Sequence, residues 1–208
     1  MMKNKIFMLL CLILSGFICS VESRAQTAQG VLSKAAGEVK GAKGIEVNYT
    51  ISGQGKSLSG QLKAAGSKFY VKAGGMESWY NGKNLYTYNP NSKETTVVSP
   101  TPSELAEINP LLYLNSYASL FEAAFSQNKQ TGKYIVDLKA KSRKAPVKKV
   151  TLFLNAKSYQ PEKFVITSLD GSVATVTIVK SNYGAALSSS VFEYPKGRLP
   201  NAQIVDLR

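Results

Sequence analysis

The chain has 208 residues, of which 26 are Lys or Arg and 13 are Asp or Glu, and it contains two Cys and no His. The absence of His excludes zinc sites that need imidazole ligands and nucleophilic sites of the Ser-His-Asp or Cys-His type. Hydrophobic residues make up 44% of the chain and aromatic residues 10%, which is the composition of a folded protein rather than a disordered one. We therefore expect a folded protein with little catalytic chemistry.

The beginning of the chain has the three parts of a secretory signal peptide. Residues 1–5 carry two basic residues, Lys3 and Lys5. Residues 6–18 form an apolar run too short to span a bilayer comfortably, and Ser23-Arg24-Ala25 offers small residues before Gln26. We expect residues 1–25 to be cleaved from an exported protein, and the alternative is a permanent N-terminal anchor.

A lipid-anchored form is not expected, because bulky Leu10 and Ile18 precede Cys11 and Cys19 where a lipidation signal has small residues. Cleavage removes both cysteines, so no disulfide can stabilise residues 26–208. Three basic residues and one acidic residue are removed with the signal peptide, which leaves 23 basic and 12 acidic residues. This excess favours an acidic partner, such as an anionic membrane surface or an acidic protein, and export disfavours nucleic acid.

The first half of the mature chain alternates between a helix and short strands. Residues 27–40 have the spacing of an amphipathic helix. Residues 45–51 alternate strictly between apolar and polar side chains, which is typical of a strand with one dry and one wet face. The same alternation and its turns predict further strands at 58–64, 68–73, 76–81, 85–89 and 94–99.

A second helical region is predicted over residues 103–127. Ser103 is placed to cap a short helix, and Asn109-Pro110 begins another. Apolar residues then recur at helical spacing at Leu111, Leu114, Ala118, Phe121 and Phe125. This helix would carry an unusually apolar face.

Alternation resumes in the last third of the chain, around residues 134–139, 150–154, 164–166 and 174–178. We therefore expect one domain over residues 26–208 of the α+β class, mainly β. It would be an antiparallel sheet of about ten strands that must curl, with helices covering its concave face.

No motif for catalysis or metal binding stands out. The sequence has no Asp-x-Asp pair, no G-x-S-x-G, no P-loop and no G-x-G-x-x-G after a strand. We expect no enzyme activity, no cofactor and no metal. A glycosidase with two distant carboxylates is the enzymatic alternative that the sequence leaves open.

A set of motifs in the middle of the chain resembles a known family. Gly60-Gln61-Leu62 and Lys68-Phe69-Tyr70-Val71 precede a hairpin with the sequence Asn81-Gly82-Lys83-Asn84-Leu85-Tyr86-Thr87-Tyr88-Asn89-Pro90, and Asn109-Pro110-Leu111-Leu112 begins a helix. In motif and order these elements resemble the LolA family of periplasmic carriers of outer-membrane lipoproteins, over nearly the whole mature chain.

The resemblance implies a half-open β-barrel, with helices covering a hydrophobic cavity that shelters the acyl chains of lipoproteins. It also implies a monomeric periplasmic chaperone, loaded by an inner-membrane lipoprotein-releasing ABC transporter complex and unloaded by an outer-membrane acceptor. Such a container has a physical purpose, because an acyl chain of about fifteen methylenes costs roughly 12 kcal/mol to carry bare through water.

The candidate lining of this cavity is the apolar face of the strands and the second helical region. Its members on the predicted strands are Val47, Tyr49, Ile51, Leu58, Leu62, Phe69, Val71, Trp79, Leu85, Val150, Leu152, Phe164, Ile166, Val176 and Ile178. Those of the predicted lid are Leu111, Leu114, Phe121 and Phe125. For each residue taken singly, ordinary core packing is the alternative.

The sequence departs from the family at one turn. In the family an arginine after the G-x-L strand governs retention and transfer of cargo, whereas here the turn is Ala64-Ala65-Gly66-Ser67. Lys63 and Lys68 flank this turn and could act more weakly, although Lys and Arg are not equivalent donors. The resemblance therefore does not extend to the family's control of cargo release at this turn.

A basic segment around a predicted hairpin turn is the second candidate site. Its members are Lys139, Lys141, Arg143, Lys144, Lys148 and Lys149. They would dock to anionic lipid headgroups or to an acidic membrane partner. The alternative is a solvated hairpin tip or an edge strand protected by Lys.

Two other functions fit the same fold. A free lipid or lipid-like metabolite could occupy the cavity in place of a lipoprotein. Alternatively, the protein could be an envelope sensor or interaction module that uses the barrel to bind a partner.

Overall fold

The computed structural model describes residues 26–143, 145 and 147–208. The expected signal peptide, residues 1–25, and Lys144 of the basic segment lie outside the described residues. The helices are α1 (Ala28–Gly41), α2 (Pro102–Ile108) and α3 (Tyr113–Leu120), with short 3-10 helices at Pro110–Leu112 and Ser189–Phe192. The strands are β1 (Ile45–Gly53), β2 (Lys56–Ala65), β3 (Lys68–Ala73), β4 (Met76–Tyr80), β5 (Leu85–Asn89), β6 (Glu94–Val98), β7 (Phe121–Phe125), β8 (Lys133–Ala140), β9 (Val147–Asn155), β10 (Pro161–Ser168), β11 (Val173–Asn182) and β12 (Gln203–Asp206).

In the described part of the chain, the twelve strands form one open sheet in the order β12-β6-β5-β4-β3-β2-β1-β11-β10-β9-β8-β7. Neighbours are antiparallel, except that β12 runs parallel to β6. The prediction of a single antiparallel sheet with helices on one face is confirmed. The sequence analysis missed β7 and β12, which are the two edges of the sheet.

One face of the sheet carries the main core, and α1 packs against it. Val31, Leu32 and Ala35 of α1 are fully buried in that core. The helix begins where predicted, because Thr27 Oγ1 accepts a hydrogen bond of 3.0 Å from the Gly30 N–H and so satisfies a free donor of the first turn.

The second helical region is shorter than predicted, and its end is a strand. The chain leaves α3 at Leu120, and Phe121–Phe125 pairs with β8, so the prediction of a helix through residue 127 is wrong. The error has a simple cause: positions four apart share a face both in a helix and in a strand. The spacing of Phe121 and Phe125 therefore fits either structure.

Candidate functional site

Strand register brings most of the predicted cavity residues onto one face of the sheet. Val47 lies opposite Leu62, which in turn lies opposite Val71. On the other side of β1, the same face continues through cross-strand pairs. Those pairs join Tyr49 to Ile178, Ile51 to Val176, Val176 to Phe164, Phe164 to Leu152, and Ile166 to Val150. We call this surface the concave face.

The remaining candidates are also located by register. Phe69 and Leu85 both lie opposite Tyr80 of β4, and all three side chains are on the concave face. Leu58 lies opposite Ile51 near one rim of this face, where it is 39% exposed. Leu111 and Leu114 are buried above the sheet on the 3-10 helix and α3. Phe121 and Phe125 belong to β7 and not to the lid, although they share the concave face through Ala140 and Val136.

Trp79 does not belong to this face, so its assignment to the cavity wall is wrong. In β4 it pairs with Tyr70 and Tyr86, whereas its neighbour Tyr80 pairs with Phe69 of the core. Trp79 is 2% exposed on the opposite, convex face. There the edge of its ring meets the ring of Tyr194, which belongs to the C-terminal segment, residues 189–208. β4 has aromatic residues at two successive positions, so the pattern alone did not show which of them faces the core.

A buried carboxylate accompanies Trp79 on the convex face. Glu77 Oε2 accepts hydrogen bonds from the Tyr70 hydroxyl at 2.7 Å and from Arg198 Nη2 at 2.8 Å. Burial alone would raise the pKa of Glu77, but the hydrogen bonds from Arg198 and Tyr70 lower it below its usual value. These contacts attach the C-terminal segment to the outside of the sheet, away from the concave face.

A lid covers the concave face; it consists of α2, the 3-10 helix at Pro110–Leu112 and α3. Thr101 and Glu104 form a capping box that begins α2, and Asn109 Oδ1 accepts the Leu111 N–H at 3.1 Å, which directs the chain into the next turn. The lid contributes Ile108, Pro110 and Leu111 to a space whose sheet side is formed by Val47, Tyr49, Leu62, Phe164, Val176 and Ile178. The cavity left between these side chains is about 20 Å³. That is room for about one water molecule, so the chain's own side chains fill this part of the concave face.

A larger apolar cavity opens beside the lid. It has a volume of about 280 Å³ and lies between α2, α3, β7 and the loop that joins β8 to β9. Ala106, Tyr113, Leu120, Phe121 and Val147 form its apolar wall. Sequence reasoning missed this space, because it depends on how α3 approaches the β8–β9 loop.

Two tyrosines report how dry the interior is. Burial raises the pKa of Tyr49 to about 12 and that of Tyr113 to about 12, in the second case with a contribution from the nearby charge of Glu107. A tyrosine hydroxyl is neutral at physiological pH even in water, so the raised pKa values report the burial of these two hydroxyls and not a change of charge.

Gly60 is needed so that Tyr49 can lie across β2. A Cβ atom built at Gly60 would be 2.4 Å from Tyr49 Cζ, so Gly60→Ala should lower the free energy of unfolding by about 1–3 kcal/mol through overpacking. Gly37→Ala is the matched control: nothing lies within 4 Å of its Cβ position in α1, so it should add about 0.5–1 kcal/mol. Urea unfolding measures both changes, and equal effects would contradict the steric argument.

The basic segment is partly occupied by contacts within the protein. Lys149 Nζ lies 3.0 Å from Asp137 Oδ2, and Lys141 Nζ donates a hydrogen bond of 2.8 Å to the Ala118 carbonyl. Exposed Lys139, Arg143 and Lys148 form no ion pair within the described part of the chain. Of the five predicted docking residues that the structure describes, three are therefore available to a partner.

The lysines beside the turn after β2 already have acidic partners. Lys63 Nζ lies 3.5 Å from Glu46 Oε1, and Lys68 Nζ lies 3.4 Å from Glu193 Oε1. Neither is poised as a free substitute for the arginine that the family has at this turn.

The described residues contain no cluster of three or more side chains suited to hold a metal ion. Within the same residues, no helix is long and apolar enough to cross a membrane.

The family model for the outer membrane lipoprotein carrier protein LolA matches residues 18–170, well over half of the chain. The chain belongs to the LolA family. No curated protein sequence matches it. Family membership places the chain among lipoprotein-binding or cell-envelope modules, whose members are binding and carrier proteins rather than enzymes.

Solved structures resemble this chain at low sequence identity. An uncharacterized conserved protein from Thermus thermophilus has a TM-score of 0.60 and 14% identity, over 86% of this chain and 98% of its own. A LolA superfamily protein from Nitrosomonas europaea has a TM-score of 0.46 and 15% identity, over 82% of this chain and 99% of its own. A putative outer membrane lipoprotein-sorting protein domain from Vibrio parahaemolyticus has a TM-score of 0.48 and 9% identity, over 83% of this chain and 97% of its own.

Proposed function

We propose that this protein is a periplasmic carrier that binds the acyl chains of lipoproteins between its lid and the concave face, and moves them from the inner to the outer membrane. The observation that carries the proposal is the apolar contact between the lid and the sheet. Apolar side chains of the lid and of the sheet pack together there and leave a cavity of only about 20 Å³. Lipid would enter by displacing the lid.

The short helices of the lid favour its displacement. α2 has 7 residues and α3 has 8, and helices this short are marginal in water without tertiary contacts. An acyl chain that replaces Ile108 and Leu111 on the sheet exchanges one set of apolar contacts for another. The two states can therefore have similar free energies, which suits a carrier that must both bind and release.

The partners in this proposal are acylated lipoproteins, an ABC transporter complex in the inner membrane that loads the carrier, and an outer-membrane acceptor that unloads it. The cycle needs no covalent chemistry and no cofactor. A signal peptide over residues 1–25 would export the chain, and residues 26–208 would act as a single lipid-binding domain.

A loading experiment tests the proposal. Purified protein is incubated with membranes that carry radiolabelled lipoproteins and the loading complex, and the soluble fraction is examined for an intact acylated protein bound to it. Such a complex is the expected result. Release of free lipid without protein would favour the alternative function, a carrier of free lipids, and no release of either would contradict acyl binding.

The available cations of the basic segment should help loading. Reversing Lys139, Arg143 and Lys148 to Glu should weaken binding to anionic vesicles at low salt by at least about tenfold, since each basic residue near such a surface is worth roughly 1 kcal/mol. The matched control has the same change of charge elsewhere: exposed Lys83, Lys93 and Lys129 all replaced by Glu. Equal weakening by the two variants would show that net charge alone acts, and no weakening by either would remove the docking site.

A further inference from the structure

The end of β11 has a neighbour on one side only, although β11 lies inside the sheet. β10 and β11 pair from Thr167 and Val173 as far as Lys163 and Thr177. β1, on the other side, stays paired with β11 as far as Asn182. Within the described chain, residues 178–182 therefore present an unpaired strand edge in the middle of the sheet.

Two local irregularities separate the strands here. β10 begins at Pro161, which has no N–H to give to a ladder, and the pairing of β10 with β9 shifts register between Pro161 and Lys163. β11 has an extra residue, Val179, between the two that pair with Asn48 and Tyr49. Such a bulge bends a strand and increases its twist, so β11 turns away from β10.

The separation leaves a cleft of about 430 Å³, a volume within the range of ligand sites. Val179 is 68% exposed beside it, and Lys180 and Ser181 are also exposed. The cleft is on the convex face, because Lys163 and Thr177 line it while their neighbours Phe164 and Val176 face the core. It therefore opens on the side of the sheet opposite the proposed acyl site, although Ile178 lines both spaces.

The cleft has an excess of positive charge. Its carboxylate, Glu162, pairs with Lys133 and accepts a hydrogen bond of 2.9 Å from Asn155 Nδ2. Lys163 Nζ lies 3.6 Å from the centre of the Phe153 ring, and Lys180 stands on the opposite wall. Neither of these two lysines has a carboxylate partner among the described residues. The cleft therefore offers two cations that are not neutralised.

We propose that this cleft binds an extended acidic peptide, which adds as a strand along residues 178–182 of β11. A free strand edge offers backbone donors and acceptors at alternate residues, and these pair with an extended peptide over about 16 Å at 3.3 Å per residue. Lys163 and Lys180 then meet acidic side chains of the peptide. A compact anion would use the lysines but leave the backbone edge unpaired, so the peptide is favoured.

Three labelled peptides of eight residues test the proposal with the intact protein. The first alternates Glu and Val, the second alternates Lys and Val, and the third alternates Glu and Pro. The Glu-Val peptide should bind at least about tenfold more tightly than either of the others, a ratio equal to about 1.4 kcal/mol. The Lys-Val peptide lacks the charge, and the Glu-Pro peptide keeps the charge but lacks half of its N–H groups.

Variants and amide exchange locate the site. Replacing both Lys163 and Lys180 with Glu should weaken Glu-Val binding at least about tenfold, whereas the exposed Lys83→Glu, on a distant hairpin turn, should leave it unchanged. Hydrogen exchange at residues 178–182 should slow when the Glu-Val peptide is present. Equal binding of the Glu-Val and Glu-Pro peptides would show binding of anions only, and absence of binding or protection elsewhere would overturn the proposal.

Discussion

Leu111→Ala should make the protein less stable and, at the same time, a better binder of an acyl probe. Leu111 is 3% exposed, and its side chain occupies the space between the lid and the concave face. Removing it should lower the free energy of unfolding by about 2–5 kcal/mol, because the transfer energy of the side chain is lost and a cavity is left behind.

The same cavity should favour the lipid. An acyl chain that enters the unmodified protein must displace Leu111 from the sheet, whereas in the variant that contact is already absent. Since each 1.4 kcal/mol changes affinity tenfold, recovery of even part of the lost packing energy should tighten binding of a fluorescent fatty acid by about tenfold. Urea unfolding and fluorescence titration measure the two effects.

Leu32→Ala provides the control for this experiment. Leu32 is as large, is fully buried in the same core, and lies on α1 rather than the lid. It should lose a similar amount of stability without any gain in affinity. If both variants gained affinity equally, general loosening would explain the result, and if Leu111→Ala bound less lipid, the proposed acyl site would be wrong.

Phe192→Ala should be the most destabilising change on the convex face. Phe192 is 2% exposed in the C-terminal segment, whose Tyr194 stacks on Tyr86 at 5.2 Å and shares a hydrogen bond of 2.9 Å with Thr95. We expect the free energy of unfolding to fall by about 3–5 kcal/mol, since truncation of a buried Phe leaves a large cavity.

The chain's one tryptophan, Trp79, reports this change directly. It packs against Tyr194, so its fluorescence should shift to longer wavelength if the C-terminal segment loosens. Phe125→Ala is the control, because Phe125 is 43% exposed on edge strand β7 and its truncation should cost only about 1–2 kcal/mol. Acyl binding by the folded Phe192→Ala protein should be unchanged, and its loss would show that the two faces are coupled.

Much of this architecture could be predicted from the sequence, because most of its strands have one buried and one exposed face. The alternation at 45–51 located β1 and showed that Val47 and Tyr49 share the buried side, as the structure confirms. The helix over 27–40 was also predicted to within a residue at each end. In these segments the local period and the tertiary contacts agree.

The predictions failed where one local pattern fits two structures. Phe121 and Phe125 have a spacing common to helices and strands, and pairing with β8 decided between them. The side of the sheet taken by Trp79 depended on which residue of β4 lies opposite Phe69. Neither pairing has a signal within the segment itself, because the partner strand lies elsewhere in the chain.

The sequence by itself determined the class of the fold, the family and the apolar character of the concave face, because side-chain alternation and short motifs are local properties. Only the tertiary structure decided that the lid packs onto part of this face, that the C-terminal segment covers Trp79, and that β10 and β11 separate into a basic cleft. Each of these features depends on contacts between segments far apart in the chain, whose energies are absent from any single segment.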